Sequence, residues 1–427
     1  MASWIFIPFA IALLIGIPIS FALGIGATAF LIAWDEVPLT VIAQRFYSAV
    51  DVFVLLSIPF FILAGELMNE SGITTRLVKF AGLVTGRLRG GLAQANIGAS
   101  ILFAGLTGAG VSDTSAIGSI LIPAMKEDGF EADYAAAVTA ASSVIGPIIP
   151  PSIIMVVFGS IMGVSIGALF AAGFVPGLIV GVSLMVTAYV VGVRRGHPHR
   201  AQRVSAREFL RGLKDATFAL LMPIIIIGGI LSGIFTPTEA AAVATAYALF
   251  VGFFVFGTLK LRDIPRCLLK SAVTTSILIL IVGFASVVGW TLTIERVPQA
   301  IARTILGADL TRVQFLLVVN ALLLFMGMIM ETGANAIILG PILMPIAMSY
   351  GVHPVHFSLI MLVNLNVGLA TPPLGVCLFV ACPIAGVSMV QVSKAILPFI
   401  AAEIAAVLAI TFLPELVLFL PRILGFV

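Results

Sequence analysis

Gly146-Pro147-Ile148-Ile149-Pro150-Pro151-Ser152 lies inside one apolar tract, and 222 residues further along Gly368-Leu369-Ala370-Thr371-Pro372-Pro373 lies inside another. Proline has no N–H and clashes with the preceding turn, so each double proline must interrupt a helix and release backbone carbonyls from helical bonding. The match extends outward without a gap. Gly105, Gly118, Pro123 and Gly129 fall on Gly327, Gly340, Pro345 and Gly351. With 41 Gly and 23 Pro in 427 residues, chance supplies fewer than one such coincidence across 105–158, and seven are present. The chain therefore reads as two copies of one unit.

Composition fixes the solvent. At 61% hydrophobic, 10% charged and a mean hydropathy of +1.22, no water-soluble globule of this size could hide its apolar side chains. An all-α polytopic membrane protein is expected, with room for about ten spans of about 20 residues. The opening MASWIFIPFA has no basic region and no small-residue cleavage site, so it reads as a first helix and not a signal peptide. Cys267, Cys377 and Cys382 form neither a disulfide framework nor zinc spacing. The net charge of +3 belongs to loops and does not point to nucleic acid.

Helices are expected at about 48–68, 133–163 (broken near 146–151), 166–193, 217–234, 238–259, 269–290, 355–383 (broken near 368–373) and 390–418. Residues 3–34 form one long helix or two broken at Gly16-Ile17-Pro18; the break at Thr236-Pro237 in the second copy favours two. Residues 92–125 and 313–350 each hold two apolar arms around a polar middle, LTGAGVSDTS and METGAN. Arms of about 12 to 16 residues are short for crossing, which points to re-entrant hairpins; ordinary short helices are the alternative. Basic residues then orient the chain. The loops bearing Arg76, Lys79, Arg87 and Arg89, the run Arg194 to Lys214, and the run Lys260 to Lys270 all face the cytoplasm if hairpins return to their own side. Five crossings separate the hairpins, so the second copy is inverted.

The chemistry is expected where tips and breaks meet. The first tip runs from Thr107 to Ser115 around Ser112-Asp113-Thr114; the second runs from Glu331 to Ala336, with Asn335 aligned on Asp113. Freed carbonyls and side-chain oxygens make cages of hard ligands that suit sodium, and an ionisable group at membrane depth is functional by default. Helix N-termini starting near Ser152 and Leu374, and those after the tips, would aim positive dipole ends at an anionic substrate. Glu239 is expected to cap its helix, and Asp51 and Glu66 to sit at interfaces. His353 and His356, beside Pro354 and without a third ligand, do not read as a metal site, and all four histidines are placed in loops.

The runs IPFFILAGELM (58–68), GVSDTSAIGSILIPAM (110–125), GPIIPPSIIMVVFG (146–159), GIFTPTEAAAVATAYAL (233–249) and NVGLATPPLGVCLFVA (366–381) resemble the large membrane subunit, DctM-like, of tripartite ATP-independent periplasmic (TRAP) transporters. The resemblance covers essentially the whole chain. It implies a small four-helix DctQ-like membrane subunit, a DctP-like periplasmic binding protein, a bacterial inner-membrane location, and sodium-coupled import of an organic acid anion by an elevator motion. Carried over by position, 1–90 and 217–312 are scaffold; 91–165 and 313–385 each supply a hairpin and a broken helix to the transport domain. Residues 166–216 connect the copies, and 386–427 hold a C-terminal helix.

On this reading one sodium ion is framed by Ser112, Asp113, Gly146, Ile149 and Pro150, and another by Glu331, Thr332, Asn335, Gly368, Thr371 and Pro372. Thr107, Thr114, Ser115, Pro151 and Ser152 are assigned to the substrate. The tips and breaks are also similar to the Ser-Asn-Thr and Thr-Pro-Pro elements of sodium/dicarboxylate carriers, which need no binding protein. Here the first tip has Ser-Asp-Thr, and no Ser or Thr adjoins Asn335. A stand-alone carrier of that type is the nearest rival. An intramembrane enzyme is disfavoured by the lack of a Ser/His or paired-carboxylate arrangement at depth, and a channel by two closed, inverted cages.

Overall fold

The computed structural model describes residues 3–85, 88–198, 205–297, 299–300, 303, 310–373 and 375–427. Among them every regular element is helical. The α-helices are α1 (Ser3–Leu14), α2 (Ile19–Trp34), α3 (Thr40–Val50), α4 (Ser57–Glu70), α5 (Ile73–Thr85), α6 (Gly91–Thr107), α7 (Gly110–Glu127), α8 (Ala132–Ser142), α9 (Ile153–Met162) and α10 (Ile166–Arg195). They continue as α11 (Ala206–Leu231), α12 (Pro237–Phe250), α13 (Ile264–Ile294), α14 (Arg312–Ile329), α15 (Thr332–Ser349), α16 (Pro354–Gly368), α17 (Val376–Ala385), α18 (Met389–Phe412) and α19 (Glu415–Ile423). Eight helical segments among the described residues are long and apolar enough to cross a membrane. Outward faces such as Val182, Val186, Val190 and Val193 of α10 stay exposed, as lipid-facing surfaces do. The molecule is a multi-pass integral membrane protein.

The repeat in the sequence is a repeat in space. Both ends of α7 map onto both ends of α15 at the 222-residue offset, α8 starts where α16 does, and α9 and α17 agree to within one residue. Pro150-Pro151 and Pro372-Pro373 are both cis. A bond between the copies fits the inversion expected of the second hairpin: Lys126, in the last turn of α7, donates to the carbonyl of Ala385 at the end of α17.

Several expectations are corrected. The opening stretch is two helices, broken where Gly16 takes φ +85. The helix expected at 48–68 splits into α3, which has no buried residue, and α4 behind a 3-10 turn at Phe53–Leu56. The loop of Arg76 and Lys79 is helical: α5 buries Ile73, Leu77 and Ala81, while its charges stay on the other face. The C-terminal helix stops at Phe412, because Pro414 cannot continue it, and restarts as α19. His356 is not in a loop but in α16, where its Nε2 meets the carbonyl of Ile410 at 2.9 Å.

The hairpin arms also differ from expectation. They run 17 or 18 residues, about 26 Å at 1.5 Å per residue. The turn makes each pair a hairpin, since only Gly108-Ala109 joins α6 to α7 and only Met330-Glu331 joins α14 to α15. Gly108 and Met330 are buried, so both tips end inside protein. Ser112 to Ser115 therefore belong to the first two turns of α7 and not to a loop. Gly108 closes α6 at φ +59, extended Ala109 caps α7, and the dipole of the new helix favours an acidic residue in its first turn.

Two groups of helices meet along a seam. In the first, Thr238, Thr245 and Thr258 donate to the carbonyls of Phe53, Phe60 and Ser71, a near-constant offset that makes α12 and α4 parallel neighbours. Phe46 sits over Gly283 and Phe284 over Gly24, their rings 5.0 Å apart edge to face, which locks α13 to α2 and α3. The second group centres on α8, buried from Tyr134 to Ser142, whose alanines let α6, α7, α17 and α18 approach closely.

Candidate functional site

Each hairpin tip is pressed against the break of its own copy. A Cβ on Gly108 would come within 3.0 Å of the Pro151 carbonyl and 3.1 Å of the Ile153 nitrogen. In the second copy, a Cβ on Gly368 would lie 2.5 Å from the Cα of Gly327. Only glycine permits these backbone approaches. The two copies then interlock: α7 packs on α17, with Gly110 beside the Cys377 sulfur, and α15 packs on α9, with Gly340 beside Phe158. The N-terminus of α7 thus adjoins that of α9 through Gly108 and that of α17 through Gly110. Three positive dipole ends are drawn together.

Asp113 is fully buried. Ser100 on α6 donates to its Oδ2 at 2.9 Å and lies 3.0 Å from Ser142, which donates to Asn96. Asn96 in turn donates to Thr139 at 2.6 Å, and Ser143, at the start of the break, lies beside the carboxylate. Asp113 Oδ1 has no partner among the described residues. At the aligned position Asn335 is equally buried. Its Nδ2 donates to the carbonyls of Met326 and Met330, both at 2.9 Å, which fixes the amide orientation and leaves Oδ1 buried and unpaired. Thr332 donates to Asn366 Oδ1 at 2.9 Å, where the second break begins. An unpaired buried oxygen costs roughly 1–3 kcal/mol, and two at equivalent positions ask for a ligand. Oxygen donors beside freed carbonyls suit a hard cation.

The structure sorts the expected site residues. Asp113, Thr114 and Gly146 gather at the first tip, Gly146 lying against the Ala109 carbonyl and Thr114 beside Cys377. Ser112 and Ser115 are exposed on the opposite face of α7, away from Asp113, because successive helical residues diverge by 100°. Ser112 instead lines a cleft of ≈ 70 Å³ with Ala109 and Ile153 on one side and Gly65, Glu66 and Asn69 of α4 on the other. Ile149 and Pro150 point into an apolar cavity of ≈ 550 Å³ beside α10 and α11. The Pro151 carbonyl packs on Gly108, and Ser152 caps α9 by accepting from Met155.

In the second copy, Thr332, Asn335 and Gly368 come together as described, and Thr371 donates back to Val367. Pro372 follows at the bend. Glu331 caps α15 with its carboxylate folded over Gly333. The Thr107 side chain and Leu374 lie outside the described residues, and α17 begins at Val376. Away from the site, Glu239 forms a capping box with Thr236, and Glu66 meets Lys270 at 3.5 Å.

Sequence reasoning missed the polar residues that hold the cages from behind. Ser100, Asn96, Thr139, Ser142 and Ser143 converge on Asp113. Asn320, Asn364 and Thr411 form a second network, in which Asn320 Oδ1 accepts from Asn364 at 2.7 Å and from the Thr411 hydroxyl at 3.2 Å. Asn364 lies 222 residues after Ser142, so the repeat register itself carried that signal.

Residues 6–416 match the family described as the DctM component of the tripartite ATP-independent periplasmic transporter. The chain is 41% identical over 411 residues to the isethionate TRAP transporter permease protein DctMQ of Oleidesulfovibrio alaskensis, covering 96% of this chain but only 65% of that protein. It is 38% identical over 408 residues to the sialic acid TRAP transporter large permease protein SiaM of Vibrio cholerae, covering 96% and 95%. It is 36% identical over 441 residues to the C4-dicarboxylate TRAP transporter large permease protein DctM of Rhodobacter capsulatus, covering both chains in full. Among solved structures, the Alcanivorax borkumensis YdaH transporter shares the fold, with a TM-score of 0.60 at 15% identity over 91% of this chain and 88% of that one.

Proposed function

The chain belongs to the DctM family of tripartite ATP-independent periplasmic transporters, and on that premise we propose that it is the large membrane subunit of a sodium-driven importer of organic anions. The substrate arrives on a periplasmic binding protein, and a small DctQ-like membrane subunit completes the complex in the bacterial inner membrane. Isethionate, sialic acid and C4-dicarboxylates, named for its relatives, share a negative charge and little else. Clustered helix N-termini suit that shared feature. No enzymatic step is involved.

The observation that carries sodium coupling is the pair of register-matched, buried, unpaired oxygens on Asp113 and Asn335. A sodium ion at each would satisfy them and draw the tip and the break together. Movement is assigned to the interlocked group α6–α10 with α14–α18, which travels as one body against α1–α4 and α11–α13. Clefts already lie along this seam, ≈ 70 Å³ between α4 and α7 and ≈ 260 Å³ between α13, α9 and α15.

The decisive experiment is uptake of labelled isethionate, sialic acid and succinate into proteoliposomes holding this chain and its small subunit, with and without the cognate binding protein, under an inward sodium gradient. Uptake requiring both sodium and the binding protein is expected. Sodium-driven uptake without the binding protein would make this a stand-alone carrier, and full uptake driven by protons in sodium-free buffer would remove the cation assignment.

A further inference from the structure

Glu403 stands in the middle of α18, fully buried, and neither carboxylate oxygen has a hydrogen-bond partner among the described residues. Its repeat counterpart is Gly181, so this group exists in one copy only. The helix around it packs on α8, α10, α16 and α17. Titratable groups on those elements are Asp133 and Tyr134 on α8, Tyr189, Arg194 and Arg195 on α10, His356 on α16, and Cys377 and Cys382 on α17; Lys394 shares α18. Of these, Cys377 is a group on which the Glu403 charge acts. No cation faces it.

An ionised carboxylate without a counter-charge at membrane depth costs several kcal/mol, which a proton removes. A metal ion would need several converging oxygens, and no cluster of metal-ligating side chains occurs among the described residues. Cys377 supplies a link to the cation site, because it adjoins Gly110 and Thr114 in the opening turns of α7 and feels the charges of both Asp113 and Glu403. Two buried carboxyls that act on one buried thiol resist carrying negative charge together.

We infer that Glu403 is a proton-binding site of the transport domain, linked through the space around Cys377 to cation binding at Asp113. With a proton on Glu403 the site is neutral; when that proton leaves, the added negative charge strengthens cation binding at Asp113. Sodium affinity therefore rises with pH, and sodium binding in turn favours release of the proton. The linkage rests on the sodium reading of Asp113, while the proton itself does not.

The test uses the chain in lipid nanodiscs, with two readouts. Infrared difference spectra between acid and alkaline buffer should show the carbonyl stretch of a neutral carboxylic acid at pH 7, lost in Glu403→Gln. Only carboxylate signal there would overturn the proton site, and a bound sodium ion would give that result. Sodium binding, followed by intrinsic fluorescence with sodium against choline chloride, should tighten up to about tenfold per pH unit, the limit for one linked proton, and lose that slope in Glu403→Gln. A slope kept in the variant would place the proton on Asp113 and overturn the linkage. Glu403→Met, apolar and of similar volume, should be recovered as well as the parent if the group is neutral; loss of both folded variants alongside a wild-type carboxylate signal would refute the inference. If wild type shows no sodium response at all, the Asp113 reading fails, and the infrared readout still decides Glu403.

Discussion

Asp113 and Ser112 are neighbours in sequence with opposite surroundings. One carboxylate oxygen of Asp113 is held by Ser100 and the other is buried and unpaired, whereas the Ser112 hydroxyl opens into the cleft against α4. Asp113→Asn keeps the shape and the Ser100 contact and reproduces the residue found at 335. It should weaken sodium activation of uptake by about tenfold or more, about 1.4 kcal/mol of cation binding. Ser112→Ala should leave the sodium response within about twofold, the scale of an exposed substitution. Titrating uptake against sodium in both variants checks the pair, and equal losses would mean that the cage extends around α7 to its exposed face.

At the scale of elements, the close seams are made by glycine against backbone. Gly327 on α14 and Gly368 at the end of α16 approach so closely that a methyl group at 368 would sit 2.5 Å from the other's Cα. Backbone cannot swing aside as a side chain can, so Gly368→Ala should push α14 from the break and cost about 1–3 kcal/mol. Thermal unfolding in detergent should show a lower midpoint. Gly228→Ala, with open space around it, should not change the midpoint. The hairpins show why their form was only half legible. Their arms were placed by hydrophobicity, but the helical state of Ser112 to Ser115 depends on Gly108 ending α6 and on the buried break that receives the tip, neither of which is a local property.

For the whole molecule, the seam between the two helix groups makes a physical claim about motion. Gly65 on α4 and Ser112 on α7 line the same small cleft from opposite groups. If the groups slide past each other during transport, a disulfide between Gly65→Cys and Ser112→Cys should abolish uptake when oxidised and restore it on reduction. Undiminished uptake with the cross-link complete would reject relative movement at this seam. The native cysteines, Cys267, Cys377 and Cys382, are buried and so are poor competitors for the cross-link.

The sequence by itself determined the solvent, the duplication and the two paired breaks at the double prolines, because hydrophobicity, glycine and proline act locally and leave their mark in order along the chain. It also pointed to Asp113 and Asn335, since the repeat register aligned them. Only the tertiary structure decided which oxygens are paired. Ser100, Ser142 and Ser143 reach the Asp113 cage from α6 and the end of α8, and Glu403 is buried without a hydrogen-bond partner among the described residues by helices whose contacts span much of the chain. Pairing and burial are properties of packing, and packing brings together residues that no local pattern connects.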